Sequence, residues 1–393
     1  MLKQLFDEKS ILKVITGKDI WRWKVLENYK NSEEAAKEIA KNWGEDGITI
    51  SPLNVSKIKG KDTFITKSLE DTLAIKLVDR YIRRVYKVRQ SDRNRMIKQI
   101  TTLMQDTGDF NFIRFDIKDC YESISFEEII NKLKSDFILS PVCINILEQL
   151  NELCMNLDAY GLPRGLPISS TLAELYLENL DSKLSKSEDV IYFARYVDDC
   201  VVMTSSAQVD NAKNLITNVL GELGLHENQS KSAIYKANSY NESFDILGYS
   251  LSSSRNNNGN MVHVKISKAK LNKIKTRIKL SFLSYKNSQS PNKFKLFKDR
   301  IWFLSRLKIV KRSLNGNLMA GNAYNYMLSD FECLKEVDRF YHGVLHRNKS
   351  LFSEEEYNAM KKIYFYSNAK NKKIMNVTRK RAIVLQQAWN RSL

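Results

Sequence analysis

The sequence predicts an α+β fold, an antiparallel sheet interleaved with helices and followed by a basic, helical end. Two apolar strand-length runs, Ile191–Val197 and Cys200–Met203, lie almost end to end and can only close as a hairpin. A third run, NFIRFDI at 111–117, has strand composition. The stretches between and around these runs carry leucine and isoleucine at helical spacing.

Composition supports a packed globule. Of 393 residues, 43% are apolar and 27% charged, which excludes a disordered tail. With 14 glycines and 5 prolines the chain is no collagen or linker. No apolar run approaches the roughly 18–20 residues that span a bilayer, and MLKQLFDEKSILKV lacks a signal-peptide core. The expectation is a soluble, cytoplasmic protein with no membrane partner. The five cysteines are scattered without a CxxC pair, which argues against a disulfide scaffold or zinc ribbon. His342 and His346 are four apart, but the HExxH glutamate is missing, so they read as ordinary helix residues.

Charge is segregated. The net charge is +18, yet residues 255–393 hold 30 basic and 8 acidic side chains, a net of +22, while residues 1–254 carry −4. Such asymmetry suggests a polyanionic partner, nucleic acid or anionic lipid; the plainer alternative is a well-solvated basic surface.

The elements follow in order. The first hundred residues read as mostly helical. Ser32 with Glu34 marks a helix start, and Leu73, Leu77 and Ile82 set a helix over 72–84. Residues 83–88 alternate and suggest a strand. Asp92 caps a helix running to Met104. Ser125 with Glu128 forms a capping box for a helix to Phe137. Leu172, Leu175, Leu177 and Leu180 line a helix over 170–184, and another spans 208–223. Residues 244–251 read as a strand, and 255–259 as a loop and boundary. Beyond Ser267 the chain looks helical, with Ile274, Ile278, Phe282 and Tyr285 on one stripe.

The carboxylates are the chemical signal. Asp198 and Asp199 sit side by side at the hairpin tip, where like charges repel. A divalent cation resolves that conflict, because Mg²⁺ takes hard oxygen ligands. Asp116 ends a neighbouring strand and completes a set able to hold two ions about 4 Å apart, the arrangement of in-line phosphoryl transfer.

At this point the sequence resembles a family. YVDD at 196–199 resembles the YxDD box of reverse transcriptases. FIRFDIKDCYESIS (112–125) is similar to the strand bearing their first catalytic aspartate, and GLPRGLPISSTLAELYLENLD (161–181) to their template- and nucleotide-contacting loop and helix. LGLHENQSKSAI (223–234) resembles the next motif, and FDILGYSL (244–251) the FLG-type primer-gripping hairpin. The blocks keep the family's order over about 140 residues, and with Arg84, Asp92 and Arg93 the resemblance covers 83–251. Among prokaryotic members, the defence-associated and abortive-infection enzymes fit better than group II intron or retron enzymes. Two departures stand out. Arg164 replaces the glutamine of the usual LPQG box, and Ser169-Ser170 replaces the following serine-proline.

The resemblance implies a right-hand polymerase fold: N-terminal region and fingers over 1–110, palm with interleaved fingers helices over 111–254, and basic helical thumb and extension over 255–393. It implies Asp116, Asp198, Asp199 and the main-chain carbonyl of Ile117 as ligands of two Mg²⁺ ions, with Mn²⁺ as a substitute. Lys231 would assist the leaving pyrophosphate, or simply be solvated. Tyr121 would lie beneath the sugar and exclude a 2′-hydroxyl. Arg84 and Arg93 would hold the triphosphate, with Arg83, Arg89 and Arg95 as alternatives, and Arg164 and Gly165 would lie near the incoming nucleotide. Lys273, Lys275, Arg277, Lys279 and Arg312 would contact nucleic acid.

The implied activity is RNA-directed DNA polymerisation from dNTPs to a DNA product, in phage defence, with a structured non-coding RNA. Two alternatives are a template-independent DNA polymerase and an RNA-binding, maturase-like protein with a vestigial site. A homo-oligomer or partner protein is left open. If the basic end neutralises about six phosphates, filter binding should give a slope of log K against log[salt] of roughly −4 to −5, and reversing charge at Lys273, Lys275 and Lys279 should flatten it.

Overall fold

A computed structural model describes residues 3–58, 60–237, 239–240, 242–256, 259–288, 290–311, 317–321 and 327–390. Contacts divide the chain into two compact units. One comprises Met1–Met96 and Asp109–Lys236, the other Ile97–Gly108 and Ala237–Leu393. This division does not follow the sequence boundaries at 110 and 254. No helix among the described residues is long and apolar enough to cross a membrane.

The first unit is built on an antiparallel sheet. Its strands are β3 (Phe110–Asp116), β4 (Tyr192–Tyr196), β5 (Asp199–Ser205) and β6 (Ala233–Lys236), in the order β4-β5-β3-β6. An earlier hairpin, β1 (Asn54–Ile58) with β2 (Lys61–Ile65), stands apart as a two-stranded sheet. Phe112, Ile113, Phe115, Cys200, Val201, Val202 and Met203 are buried, because β3 and β5 lie inside the sheet with both faces occupied. The leucines predicted to face inward from the helix Ser169–Ser185 are buried as expected. The cap of the helix Phe126–Ser135 is also as expected: Ser125 Oγ accepts from Glu128 N at 3.2 Å.

Several expectations need correction. Residues 83–88 hold no strand. The helix Leu69–Val85 takes in 83–85 and is capped by Tyr86, with Arg83 Nε braced on Asp79 at 3.0 Å, one turn back. The first hundred residues contain the β1–β2 hairpin, which polar alternation concealed. The Ser32 helix is capped one residue earlier, by Asn31, whose side chain accepts from Glu34 N at 2.8 Å. Asp199 is not a turn residue. It pairs with Tyr196, so the turn is Val197-Asp198 and Asp199 opens β5.

The second unit holds two further sheets. Residues 244–251 are a hairpin rather than one strand. β7 (Phe244–Ile246) turns through Leu247-Gly248, both at positive φ, into β8 (Tyr249–Asn256). β8 then pairs with β9 (Gly259–Ile266), so the expected 255–259 boundary is a hairpin end. The basic end is not all helix. β10 (Leu307–Lys311) lies between antiparallel β11 (Asn317–Ala320) and parallel β12 (Ile374–Thr378). The helices Lys268–Lys286, Lys293–Ser305, Cys333–Arg347 and Arg379–Asn390 pack in the same unit, and the predicted stripe of Ile274, Ile278, Phe282 and Tyr285 is buried. His342 and His346 are helix residues without a metal cluster among the described residues.

One buried ion group anchors the β4–β5 hairpin. Arg195 is 4% exposed. It forks onto Asp181 at 2.7 Å through both Nε and Nη2, reaches Glu174 at 2.9 Å, and donates Nη1 to the Val197 carbonyl at 3.1 Å. Burial works against the charge, but the two carboxylates outweigh it and raise the guanidinium's pKa. Arg195→Ala would strand buried carboxylate charge and release the turn. It should cost about 3–5 kcal/mol in chemical denaturation.

Candidate active site

Three aspartates are gathered by strand register. Asp116, the last residue of β3, pairs directly with Asp199, the first of β5. Asp198 lies in the intervening turn, and its carbonyl accepts from Ile117 N at 3.1 Å. Val197 holds φ at 61°, an uncommon conformation for a β-branched residue. Arg195 below and Ile117 beside it fix that turn.

Two of the three carboxylates have a cationic or amide neighbour. Lys231 Nζ lies 2.8 Å from Asp116 Oδ2, and Asn228 Nδ2 donates to Asp116 Oδ1 at 3.1 Å. Arg114 Nη2 is 3.3 Å from Asp199 Oδ1. Burial pushes the Asp199 carboxyl up; Arg114 opposes this, while Asp198 and Asp116 add to it.

The donor chemistry is the test of whether a divalent cation fits. Asp116 and Asp199 are paired across β3 and β5 with Asp198 in the adjoining turn, and carboxylate oxygens are the ligands that hard dications take. The Ile117 carbonyl is also left over by the local pairing, which uses Lys118 N to His226 O and Asn228 N to Asp116 O. The donor chemistry therefore fits. Among the described residues no three ligating side chains are already drawn together as a cluster. Lys231 and Arg114 instead hold two of the three carboxylates.

The loop at 161–165 is locked to the first unit by backbone geometry. Leu162 N donates to Tyr121 O and Phe64 N to Arg164 O, both at 2.7 Å. Gly165 sits at φ 100°, and a Cβ there would meet Thr63 Cγ2 at 2.5 Å. A Cβ on Gly161 would meet the Glu122 carbonyl at 2.4 Å.

Arg164 is committed within this loop. It forks onto Glu122 with two bonds of 3.0 Å, and its guanidinium stands 4.9 Å from the Tyr121 ring centroid. Burial alone would raise the Glu122 carboxyl, but the Arg164 fork holds it below the usual range. Lys61 joins the group, 2.6 Å from Asp119 and 3.3 Å from Glu122. Burial raises the Tyr121 phenol.

The other sequence-selected residues lie elsewhere. Arg84 is exposed in the last turn of Leu69–Val85, and Arg93 opens the helix Arg93–Leu103. In the second unit, Lys275 pairs with Glu336 at 2.5 Å, and Arg277 lies over Trp389 at 5.4 Å. Lys279 stands 5.5 Å from the Phe340 ring, and Lys273 is exposed. Arg312 falls outside the described residues. Sequence reasoning missed Arg114, Asn228, Arg195 and Glu122. Arg114 had a signal: two residues before Asp116, it shares that strand face.

Residues 62–251 match the family model described as reverse transcriptase (RNA-dependent DNA polymerase). That segment resembles a reverse transcriptase domain, and its mix of helices with an antiparallel four-stranded sheet is that of a right-hand polymerase fold. No curated protein matches the chain. Among solved structures, it is similar to apo telomerase from Candida tropicalis truncated from its C-terminal domain, at 16% identity over 56% of this chain and 59% of that one, TM-score 0.37. It is also similar to telomerase from Candida albicans in complex with a fragment of telomeric RNA, at 13% identity over 86% and 61%, TM-score 0.38. The chain thus spans about three-fifths of the length of those telomerases.

The Arg164–Glu122 fork is 35% and 41% exposed, so solvent screens it. Arg164→Gln should change stability by no more than about 1 kcal/mol in urea denaturation. A larger loss would mean that the fork holds the loop in place.

Proposed function

We propose that this protein is an RNA-directed DNA polymerase that joins dNTPs to a 3′-hydroxyl, with Asp116, Asp198 and Asp199 as its acidic centre. The observation that carries this reading is the cross-strand pairing of Asp116 with Asp199 around the Asp198 turn, inside the segment that matches the polymerase family. Asp116, Asp198, Asp199 and the Ile117 carbonyl would hold Mg²⁺, or Mn²⁺ in its place. When bound, the metal ions would lower the pKa of the attacking hydroxyl and offset charge on the departing pyrophosphate.

The chain's own groups do the rest. Lys231, beside Asp116, is positioned to deliver a proton or positive charge to the leaving group. Tyr121, gripped by Arg164 on one side and by the Leu162 amide through its carbonyl, would present its ring beneath the sugar. A bulky ring there leaves no room for a 2′-hydroxyl, so deoxynucleotides are favoured. Arg84 and Arg93 would meet the triphosphate through charge-assisted bonds. The net +22 of residues 255–393 supports binding of an RNA template and its product duplex by backbone charge. The order of motifs supports placement among the prokaryotic defence-associated enzymes, acting against phage with a dedicated structured RNA.

A dNTP-incorporation assay with and without ribonuclease tests the reading. Incorporation that depends on intact RNA is expected. Incorporation that survives ribonuclease would instead indicate untemplated synthesis, and none at all would indicate an RNA-binding role. Asp116→Ala and Asp198→Ala should each reduce incorporation to background while circular dichroism stays that of the native protein; wild-type rates in either would overturn the centre.

Sugar choice gives a separate outcome. Tyr121→Ala should raise the ratio of ribonucleotide to deoxynucleotide incorporation by an order of magnitude or more, at about 1.4 kcal/mol per factor of ten. An unchanged ratio in competition assays would remove Tyr121 from the sugar's path.

A further inference from the structure

Tyr121 rides on a helix too short to support itself. Cys120–Ser123 is one turn, and its cap residue, Asp119, lies at φ 46° without a side-chain cap bond. A single turn fixes several dihedrals for few hydrogen bonds and is marginal alone. Its support comes from outside. Leu162 N donates to the Tyr121 carbonyl at 2.7 Å, and Lys61 Nζ donates to Asp119 Oδ1 at 2.6 Å.

Glu122 gathers the rest of that support. Its Oε1 accepts from Arg164 Nε at 3.0 Å. Its Oε2 accepts from Arg164 Nη2 at 3.0 Å and from Lys61 Nζ at 3.3 Å. Cations from two separate segments thus engage both oxygens of one carboxylate. The guanidinium so held stands 4.9 Å from the centroid of the Tyr121 ring, within cation–π range. One planar group therefore joins the side chains of two consecutive residues.

The 161–165 loop does not need the fork to keep its path. Its backbone bonds to Tyr121 and Phe64, and the close packing at Gly161 and Gly165, already fix it. What the fork adds is the placement of a side chain. A lone arginine samples many rotamers, and a two-point fork selects one. An arginine set in this way gives the Tyr121 ring a fixed neighbour.

We propose that Glu122 is a positioning residue for sugar selection, which orients Arg164 against Tyr121 and so keeps the ring from turning aside. The proposal rests on the reading of Tyr121 beneath the sugar. A ring that turns aside admits a 2′-hydroxyl, so its discrimination is only as strong as whatever resists the turn. The fork is partly exposed, which limits its strength. Loss of Glu122 should therefore cost about fivefold in selectivity, the factor carried by about 1 kcal/mol, and less than loss of the ring itself.

The test pairs a selectivity measurement with one that needs no turnover, both on the full chain. Competing ribonucleotides and deoxynucleotides give the ratio of kcat/KM for the two sugars. Fluorine NMR of a label on the Tyr121 ring reports the ring's surroundings without nucleotide. Glu122→Gln keeps the side chain's shape and removes the charge that the fork needs. It should raise the ribonucleotide-to-deoxynucleotide ratio about fivefold and move the fluorine resonance toward that of an exposed tyrosine. Arg164→Lys keeps a charge but cannot fork, and should do the same. The two substitutions together should add nothing to either alone, because they break one contact. A resonance unchanged in Glu122→Gln would overturn the proposal whether or not the chain incorporates nucleotide. Equal losses for both sugars would also overturn it, since that is the mark of a merely structural residue. A ratio that rises in Tyr121→Ala but not in Glu122→Gln would leave the ring as the barrier and remove Glu122 from it. A resonance that moves in Glu122→Gln while Tyr121→Ala leaves the ratio unchanged would overturn the reading of Tyr121, and with it the sugar role of Glu122.

Discussion

Pairing Asp116 with Asp199 across two central strands is the constraint on which the first unit depends. It places two carboxylates opposite each other at the end of a buried sheet, with a third in the adjoining turn. Like charges at that spacing oppose folding unless something offsets them. Lys231 and Asn228 attend Asp116, and Arg114 attends Asp199, so the apo chain supplies its own partial neutralisation. Burial, with Asp198 and Asp116 beside it, still pushes the Asp199 carboxyl up against Arg114.

The geometry of the turn follows from the same pairing. With Asp199 in register, only Val197 and Asp198 remain to reverse the chain, and Val197 is forced to positive φ. Left-handed backbone costs a side-chain-bearing residue about 1–2 kcal/mol. The surroundings over-determine it: Arg195 takes the Val197 carbonyl, and Ile117 N donates to the next one. Arg195 can be buried because Asp181 and Glu174 reach it from the helix Ser169–Ser185. The helix that packs under the sheet therefore also holds the Val197-Asp198 turn in shape.

Legibility in the sequence tracked how local the determining interaction is. β3, β4, β5 and the helices beneath them were readable because periodic burial writes itself into 5–15 residues. The acidic trio was readable because adjacent aspartates in an apolar hairpin have few structural uses. β1 and β2 were not readable. They are polar and mostly half-exposed, as a two-stranded ribbon outside the core must be. β10, β11 and β12 are short, and β12 joins β10 in parallel from 67 residues away, so nothing local marks them. Arg195 and Glu122 were hidden for the same reason, since their partners lie 14 and 42 residues distant.

Arg164 shows how a departure from a family pattern is absorbed. A glutamine at this position offers an amide that can turn toward a nucleotide. A guanidinium is planar, always charged and suited to a carboxylate fork. Here the fork closes on Glu122, the residue after Tyr121, while the same guanidinium faces the Tyr121 ring. The loop backbone reinforces this, because Leu162 N binds the Tyr121 carbonyl and Gly161 is pressed against the Glu122 backbone. Lys61, from β2, keeps the added carboxylates neutralised. The arginine thus ties the loop to the segment that carries Tyr121 and Glu122.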